Sequence, residues 1–330
     1  IASLISDIVL KDRLYRLGLV LALLTTVGMA LTDSLWLWAV MRFLAGLSSA
    51  AGLLLGSGLV LHWLIRHDHR SELGIHFSGI GLGIAFCAVA VEWMHPTFDW
   101  REQWVLLTFM GALMALPAWA WLPRPEVRSM TRNGAPMIDR PPSPTFVRLF
   151  MAAYFCAGVG YVVSATFIVA IVEQLPGLQG KGSWTFMVDG LAAAPACIVW
   201  DLIARRVGDI NAMIAAFMLQ IVGILLPVIA PSLGMTLLGA ALFGGTFIGI
   251  VSLVLTMAGR FYPTRPAKMM GKMTISYGVA QIIAPAITGL LAEGGGSYDQ
   301  GLYLAAIMMI LGSLLMLLLK ARSGREALST

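Results

Sequence analysis

Apolar residues along this chain run in long, nearly unbroken stretches separated by short charged clusters, without the strict alternation of a half-buried strand or the narrow stripe of a surface helix. A hydrocarbon core of about 30 Å is crossed by about 20 helical residues, and ten stretches reach that length: Leu14–Thr32, Leu35–Ile65, Leu73–Met94, Gln103–Leu122, Phe146–Val172, Ser183–Ala204, Ile210–Ala230, Leu233–Ala258, Met269–Ala292 and Asp299–Leu319. The connections are short except for Pro123–Thr145, where Pro123, Pro125, Pro136, Pro141, Pro142 and Pro144 mark a soluble linker. The pattern predicts an all-α integral membrane protein in three parts: an amino-terminal membrane half over residues 1–122, a linker over 123–145 and a carboxy-terminal half over 146–330. Four spans precede the linker and six follow it. The chain opens on Ile1 without an initiator Met, and Ile1–Leu10 reads as the end of a helix whose start is missing. The expectation is a bundle of two six-helix halves lacking helix 1 and most of helix 2. Nothing in it reads as a cleavable signal peptide.

Charge fixes the orientation. Alternate connections carry Lys11, Arg13 and Arg16; Arg66 and Arg70; Arg124, Arg128, Arg132, Arg140 and Arg148; Arg205 and Arg206; Arg260, Arg265, Lys268 and Lys272; and Lys320, Arg322 and Arg325. Those are 19 of the 22 basic residues, against Arg101 and Lys181 on the opposite side and Arg42 within a span. Lys and Arg in short loops are retained on the cytoplasmic side. The linker and carboxyl terminus of this multi-pass protein are therefore predicted to be cytoplasmic. One miscounted helix would scramble the alternation, so the asymmetry also supports the count.

Composition narrows the class further. The chain is 58% apolar and 12% charged, with mean hydropathy +0.84, far from the roughly 45–50% and 25% of soluble domains. A net charge of +5 could suggest nucleic acid, but no soluble basic module exists to bind it, and the excess is a topology signal. Cys87, Cys156 and Cys197 lie inside apolar runs and read as small core residues. The connections before two Gly-rich spans are followed by Gly74 and Gly81 in one half and by Gly271 and Gly278 in the other, an offset of 197 residues in both cases. That repetition agrees with two halves related by an axis along the membrane normal and enclosing a midplane site.

At this point the residues resemble a family. Leu10, Asp12, Arg13 and Arg16 resemble the loop motif G-x-L-x-D-R-x-G-R of the major facilitator superfamily, with Ile8 and Tyr15 in place of its glycines. Arg42-x-x-x-Gly46 is similar to a helix 4 motif, and Trp200-Asp201-Leu202-Ile203-Ala204-Arg205 to a worn second copy of the loop motif. The stretches His76–Gly83, Gly158–Tyr161 and Tyr277–Gln281 resemble the YbfB/YjiJ-type bacterial branch. The resemblance covers essentially the whole chain. It implies a major facilitator fold and secondary transport, and makes Asp12, Arg13, Arg16, Asp201 and Arg205 a conformational latch; the branch implies no substrate.

Few polar residues lie within the spans. Arg42 sits about two turns into its helix, where an Arg in hydrocarbon costs several kcal/mol; it should face a cavity or partner, as an anion contact or a group coupling proton movement, or else pack the bundle through backbone carbonyls. Asp189, about six residues into its span, is either a substrate or proton site or an interfacial cap near Gly182 and Ser183. Glu92 and Glu173 sit at span ends, where solvated roles suffice. His76 is a structural histidine or a proton relay. Tyr161, Tyr277 and Gln281 must each satisfy a polar group, through a cavity or a neighbouring helix alike. His62, His67 and His69 with Asp68 read as a solvated loop, so no metal is expected, and no cofactor. Glycines 46, 52, 56, 58, 74, 79, 81, 83, 244, 245 and 249 are read as smooth surfaces where helices approach closely.

A membrane-embedded enzyme would show concentrated catalytic groups, and an ion-translocating subunit would show Lys and Glu at mid-helix. Scattered polar groups, two halves and a basic linker instead predict a non-enzymatic, monomeric secondary transporter of a small molecule by alternating access, with protons as a candidate coupling ion. One firm positive charge and one negative disfavour polyanionic substrates.

Overall fold

The structure, a computed structural model, describes residues 7–125, 130–174, 177, 179–295 and 299–328. Its helices run in order α1 (Ile8–Ala30), α2 (Leu35–Ala50), a π-helical turn (Ala51–Gly56), α3 (Ser57–Arg66), α4 (Gly74–Met94), α5 (Trp100–Trp121), α6 (Pro144–Gln174), α7 (Gly182–Val207), α8 (Asp209–Ile229), α9 (Leu233–Arg260), α10 (Ala267–Gly295) and α11 (Asp299–Leu328). Among the described residues β pairing is limited to an isolated bridge, Met130–Pro136 in the linker. Among the described residues ten helical segments are long and apolar enough to cross a membrane; α2, the π turn and α3 form one of them, Leu35–Arg66. The chain is thus a multi-pass α-helical membrane protein with the expected number of spans.

The helices outrun their apolar stretches at the basic ends, and this corrects the placement of several charges. Asp7 accepts the Val9 N–H (2.8 Å) and caps α1 before Ile8. Lys11, Asp12, Arg13 and Arg16 therefore stand on the helix and not in a loop before it. Arg205 and Arg206 fall in the last turn of α7 and Arg260 in that of α9, where cations complement the exposed carbonyls. Hydropathy reports how deep a residue lies in lipid; it does not report where helical hydrogen bonding stops.

Two compact units emerge, and they do not follow the linker. Unit 1 holds the described parts of Ile1–Ser71, Val89–Arg140 and Gly259–Gly271. Within it α1 lies against α2 and α5, and Gly18 is so close to the π turn that a Cβ there would come 2.7 Å from the Ala51 Cβ. The linker is fastened: Arg132 N–H donates to the Arg66 carbonyl (2.7 Å), Arg140 N–H to the Phe261 carbonyl (2.8 Å), and Thr264 Oγ1 to Asp139 Oδ1 (2.7 Å). Unit 2 comprises the described parts of Glu72–Ala88, Pro141–Ala258 and Lys272–Thr330. The first part of α4 thus packs with α7, and Phe150, Tyr154, Phe217 and Leu255 are among the unit's fully buried large side chains.

Candidate functional site

Two aspartates on α7 organise unit 2. Both are buried, Asp201 at 6% exposure and Asp189 at 7%, and their surroundings are opposite. Asp201 Oδ2 accepts the Gly74 N–H (2.8 Å), one of the amide donors that a helix start leaves without an intrahelical partner. One turn on, Arg205 grips Glu72 with two parallel bonds, Nε to Oε1 (2.8 Å) and Nη2 to Oε2, the bidentate geometry that suits a guanidinium to a carboxylate. A polar clamp thereby ties the start of α4 to the end of α7.

Further along, the two helices touch through backbone. A Cβ on Gly81 would lie 2.3 Å from the Ala194 nitrogen, and one on Gly190 would lie 2.5 Å from the Ala85 nitrogen. On its other side α7 meets α9: Trp200 Nε1 donates to the Gly245 carbonyl (2.7 Å), and Gly249 leaves the room that the Trp200 ring fills. The reading of the glycines needs sorting, however. Gly58, Gly74, Gly81, Gly244 and Gly249 stand where a Cβ would collide or press, whereas Gly46, Gly52, Gly79, Gly83 and Gly245 have no such atom within 4 Å among the described residues. The internal repeat is equally uneven, since Gly81 is pinned and its counterpart Gly278 meets nothing within 4 Å. Glycine content marks where close packing is permitted, and only the partner helix decides where it happens.

Asp189 has no hydrogen bond or ion pair among the described residues, and its Oδ1 is fully buried. It borders a small space of about 10 Å³, shared with Ser164 and Ile168 of α6, Gly223 of α8, Gly239 and Phe243 of α9 and Leu302 of α11. The Ser164 hydroxyl is also buried and unbonded. A Cβ at Gly244 would come 2.1 Å from the Asp189 carbonyl oxygen and 2.6 Å from Oδ1, so α9 can approach the carboxylate only because that position is glycine. Among the described residues the Asp189 carboxylate accepts no helix-start N–H, so the interfacial cap has no contact there. The turn before α7 is closed instead by Glu173, which accepts the N–H groups of Gly180 (2.6 Å) and Gly182 (2.9 Å).

Beside this space runs an aromatic column. Tyr161 stacks against Phe247 (5.0 Å between centroids), Phe243 (6.4 Å) and Tyr277 (5.8 Å), and Tyr277 against Tyr154 (4.5 Å). Tyr161 and Tyr277 are therefore brought together, whereas Gln281, one turn on along α10, is half-buried with no bonded partner among the described residues. His76, in the first turn of α4, meets Phe77 edge-on (5.4 Å).

In unit 1 the latch residues do different work. Asp12 and Arg16 pair on one face of α1 (3.0 Å), and Arg16 also donates to the Trp119 and Leu122 carbonyls while stacking over the Trp119 ring (5.3 Å). It caps the carbonyl end of α5. Arg13 is exposed. Arg42 is exposed too, with its guanidinium 5.2 Å from the Trp104 ring centre, a cation–π contact in place of bonds to backbone carbonyls. His67 and His69 pack on Trp63 (4.3 and 5.5 Å), and His62 Nδ1 lies 3.3 Å from the Pro263 carbonyl.

Several of these groups left no trace in the sequence. Glu72, Ser164, Trp104 and Asp139 acquire their roles from partners far away in the chain. A Ser in a membrane helix ordinarily returns its hydroxyl to the backbone of the preceding turn, and only the structure shows that Ser164 does not.

The architecture is that of a membrane transporter of the major facilitator type. It is similar to the human organic anion transporter MFSD10 (TETRAN), with TM-score 0.63 at 16% identity over 93% of this chain and 77% of that one. It is also similar to a bacterial homologue of the iron transporter ferroportin in an outward-facing state, with TM-score 0.64 at 13% identity over 94% and 84%. At such identities the likeness is one of fold. The chain belongs to the family described as "Uncharacterised MFS-type transporter YbfB", which matches residues 4–317. It is also 31% identical over 113 residues to the uncharacterized transporter mfc1 of Schizosaccharomyces pombe, a stretch amounting to 34% of this chain and 23% of that relative.

Proposed function

We propose that the protein is a secondary active transporter that carries a small molecule by alternating access, driven by a cation gradient that acts at Asp189. The observation that carries this reading is the seam between α4 and α7. It is closed at one end by a reversible polar clamp, Asp201 with Gly74 and Arg205 with Glu72, and smooth along its length at Gly81 and Gly190. Such a seam can part and close again without exposing a large apolar interlock. Asp12, Arg13 and Arg16 complete the latch on α1, and Arg16 holds the end of α5.

A carboxylate buried without a partner is costly, and occupancy by a cation relieves that cost in one state of the cycle. Protons, the coupling ion expected from the sequence, satisfy this requirement; so does a metal cation, and the second unbonded oxygen at Ser164 favours it. Arg42, Tyr161, Tyr277, Gln281 and His76 are proposed to line the substrate route or its proton path. Arg42 offers five donors to an anionic group, which favours small neutral, zwitterionic or monoanionic compounds. In this reading the protein works as a monomer in a bacterial inner membrane, linker and carboxyl terminus cytoplasmic, and calls on no nucleic acid, cofactor or metal prosthetic group. Nothing in this scheme requires enzymatic chemistry.

Reconstitution into proteoliposomes tests the reading. Against a metabolite pool and an imposed proton or Na⁺ gradient, at least one compound should accumulate saturably and stop when the gradient is collapsed. Accumulation of none under either gradient would count against secondary transport. A reporter active only in the periplasm, fused after Arg325, should be silent.

A further inference from the structure

We propose that the space between Asp189 and Ser164 is a Na⁺ site. The inference rests on the reading above, that a cation acting at Asp189 drives transport, and supplies the identity of that cation. Asp189 Oδ1 and Ser164 Oγ are both buried, both without a hydrogen-bond partner among the described residues, and both border the same small space. They are not bonded to each other, so whatever satisfies them lies between them.

Size decides what that can be. About 10 Å³ holds one water-sized species, whereas sites for organic ligands measure roughly 300–1,000 Å³; the transported molecule does not fit here. Chemistry narrows it again. The polar side-chain atoms bordering the space are oxygens, with Ile168, Phe243 and Leu302 supplying hydrocarbon, and an all-oxygen donor set suits a hard cation. A single carboxylate neutralises a monovalent ion and would leave a divalent one half-compensated. A water would fit but would leave the carboxylate charge buried and uncompensated. A proton would neutralise Asp189 but would leave Ser164 to be satisfied by a separate water. Na⁺ satisfies both oxygens at once, and Gly223 and Gly239 bring backbone to the same space. Gly244 holds the geometry, since a Cβ there would strike Asp189.

The test is thermal unfolding of the purified protein in lipid nanodiscs, followed by tryptophan fluorescence, at fixed pH and ionic strength as NaCl replaces choline chloride. A ligand that binds only the folded state raises Tm with its concentration. Tm should rise saturably with Na⁺. Asp189→Asn should unfold at or above the wild-type Tm in choline and lose the Na⁺ response. Ser164→Ala should keep the response but need about tenfold more Na⁺ for half of it, as the loss of one oxygen ligand worth about 1.4 kcal/mol predicts. Asp201→Asn, at the clamp, should respond to Na⁺ normally. No rise in the wild-type protein, or an undiminished rise in Asp189→Asn, overturns the site. A Tm that ignores Na⁺ but follows pH, and loses that dependence in Asp189→Asn, also overturns it while leaving cation coupling at Asp189 intact. The coupling reading itself fails separately, if Asp189→Asn leaves gradient-driven uptake in proteoliposomes unchanged.

Discussion

The two aspartates of α7 are almost equally buried, yet one is bonded and the other is not. Asp201 answers an orphaned amide at the start of α4 and stands one turn from the Arg205–Glu72 pair; Asp189 answers nothing and borders a space the size of a single water. Burial alone therefore does not separate structural from functional acids in a membrane helix. What separates them is whether the protein itself supplies the partner. Where it does, the acid stabilises a contact; where it does not, as at Asp189, a cation is proposed to supply the partner.

Substitutions can break that comparison, and their expected effects on stability fall in a clear order. Gly244→Val should be the worst. A Cβ 2.1 Å from the Asp189 carbonyl oxygen must push α7 from α9, at a cost of about 3 kcal/mol, visible as a large fall in Tm and in folded yield. Asp201→Ala comes next, because it leaves the buried Gly74 N–H unsatisfied, at about 1–3 kcal/mol; thermal unfolding in nanodiscs should report it whatever the cation. Arg205→Lys keeps the charge but loses the fork, and with 39% of the Arg205 side chain exposed the loss should be below about 1 kcal/mol. In choline, without Na⁺, Asp189→Asn should cost nothing or stabilise, since it removes an unpaired buried charge, and yet it should abolish gradient-driven uptake. If it instead lowered Tm as much as Asp201→Ala, the contrast between the two acids would be lost.

Arg42 sharpens the picture from unit 1. Its contact is the face of Trp104, so Arg42→Lys should insert and express normally. An exposed cation–π contact is worth about 0.5–1 kcal/mol. If Arg42 grips a substrate carboxylate, the same substitution should lower the uptake rate far more than that small stability change suggests, and Arg42→Ala more still. Wild-type uptake kinetics in a well-expressed Arg42→Ala protein would make Arg42 a packing residue.

The sequence shows the spans because hydrocarbon demands long apolar runs, and it shows Asp189 because an acid in such a run has few innocent explanations. It does not show Ser164, which is one hydroxyl among many, nor Glu72, whose importance comes from an Arg 133 residues away. The loop motif is legible as Asp12 and Arg16, but the end of α5 that Arg16 caps lies more than 100 residues further on and has no local signature. Glycine spacing suggests smooth helices; only the packing separates Gly81, pressed against α7, from Gly83, which meets nothing. Local chemistry and lipid depth are written along the chain, whereas pairing across helices is not.

The most direct test of alternating access is the distance across the α4–α7 seam. Ile75 and Leu202 are exposed on either side of it and can carry spin labels, with Cys87, Cys156 and Cys197 replaced by serine or alanine. Pulsed electron–electron resonance in nanodiscs should give two distances, one for the clamped seam and one longer. Asp201→Ala and Gly81→Leu should each shift the population to the longer one. A single distance, unmoved by either substitution, would mean that the seam is a fixed packing interface, and would contradict the account.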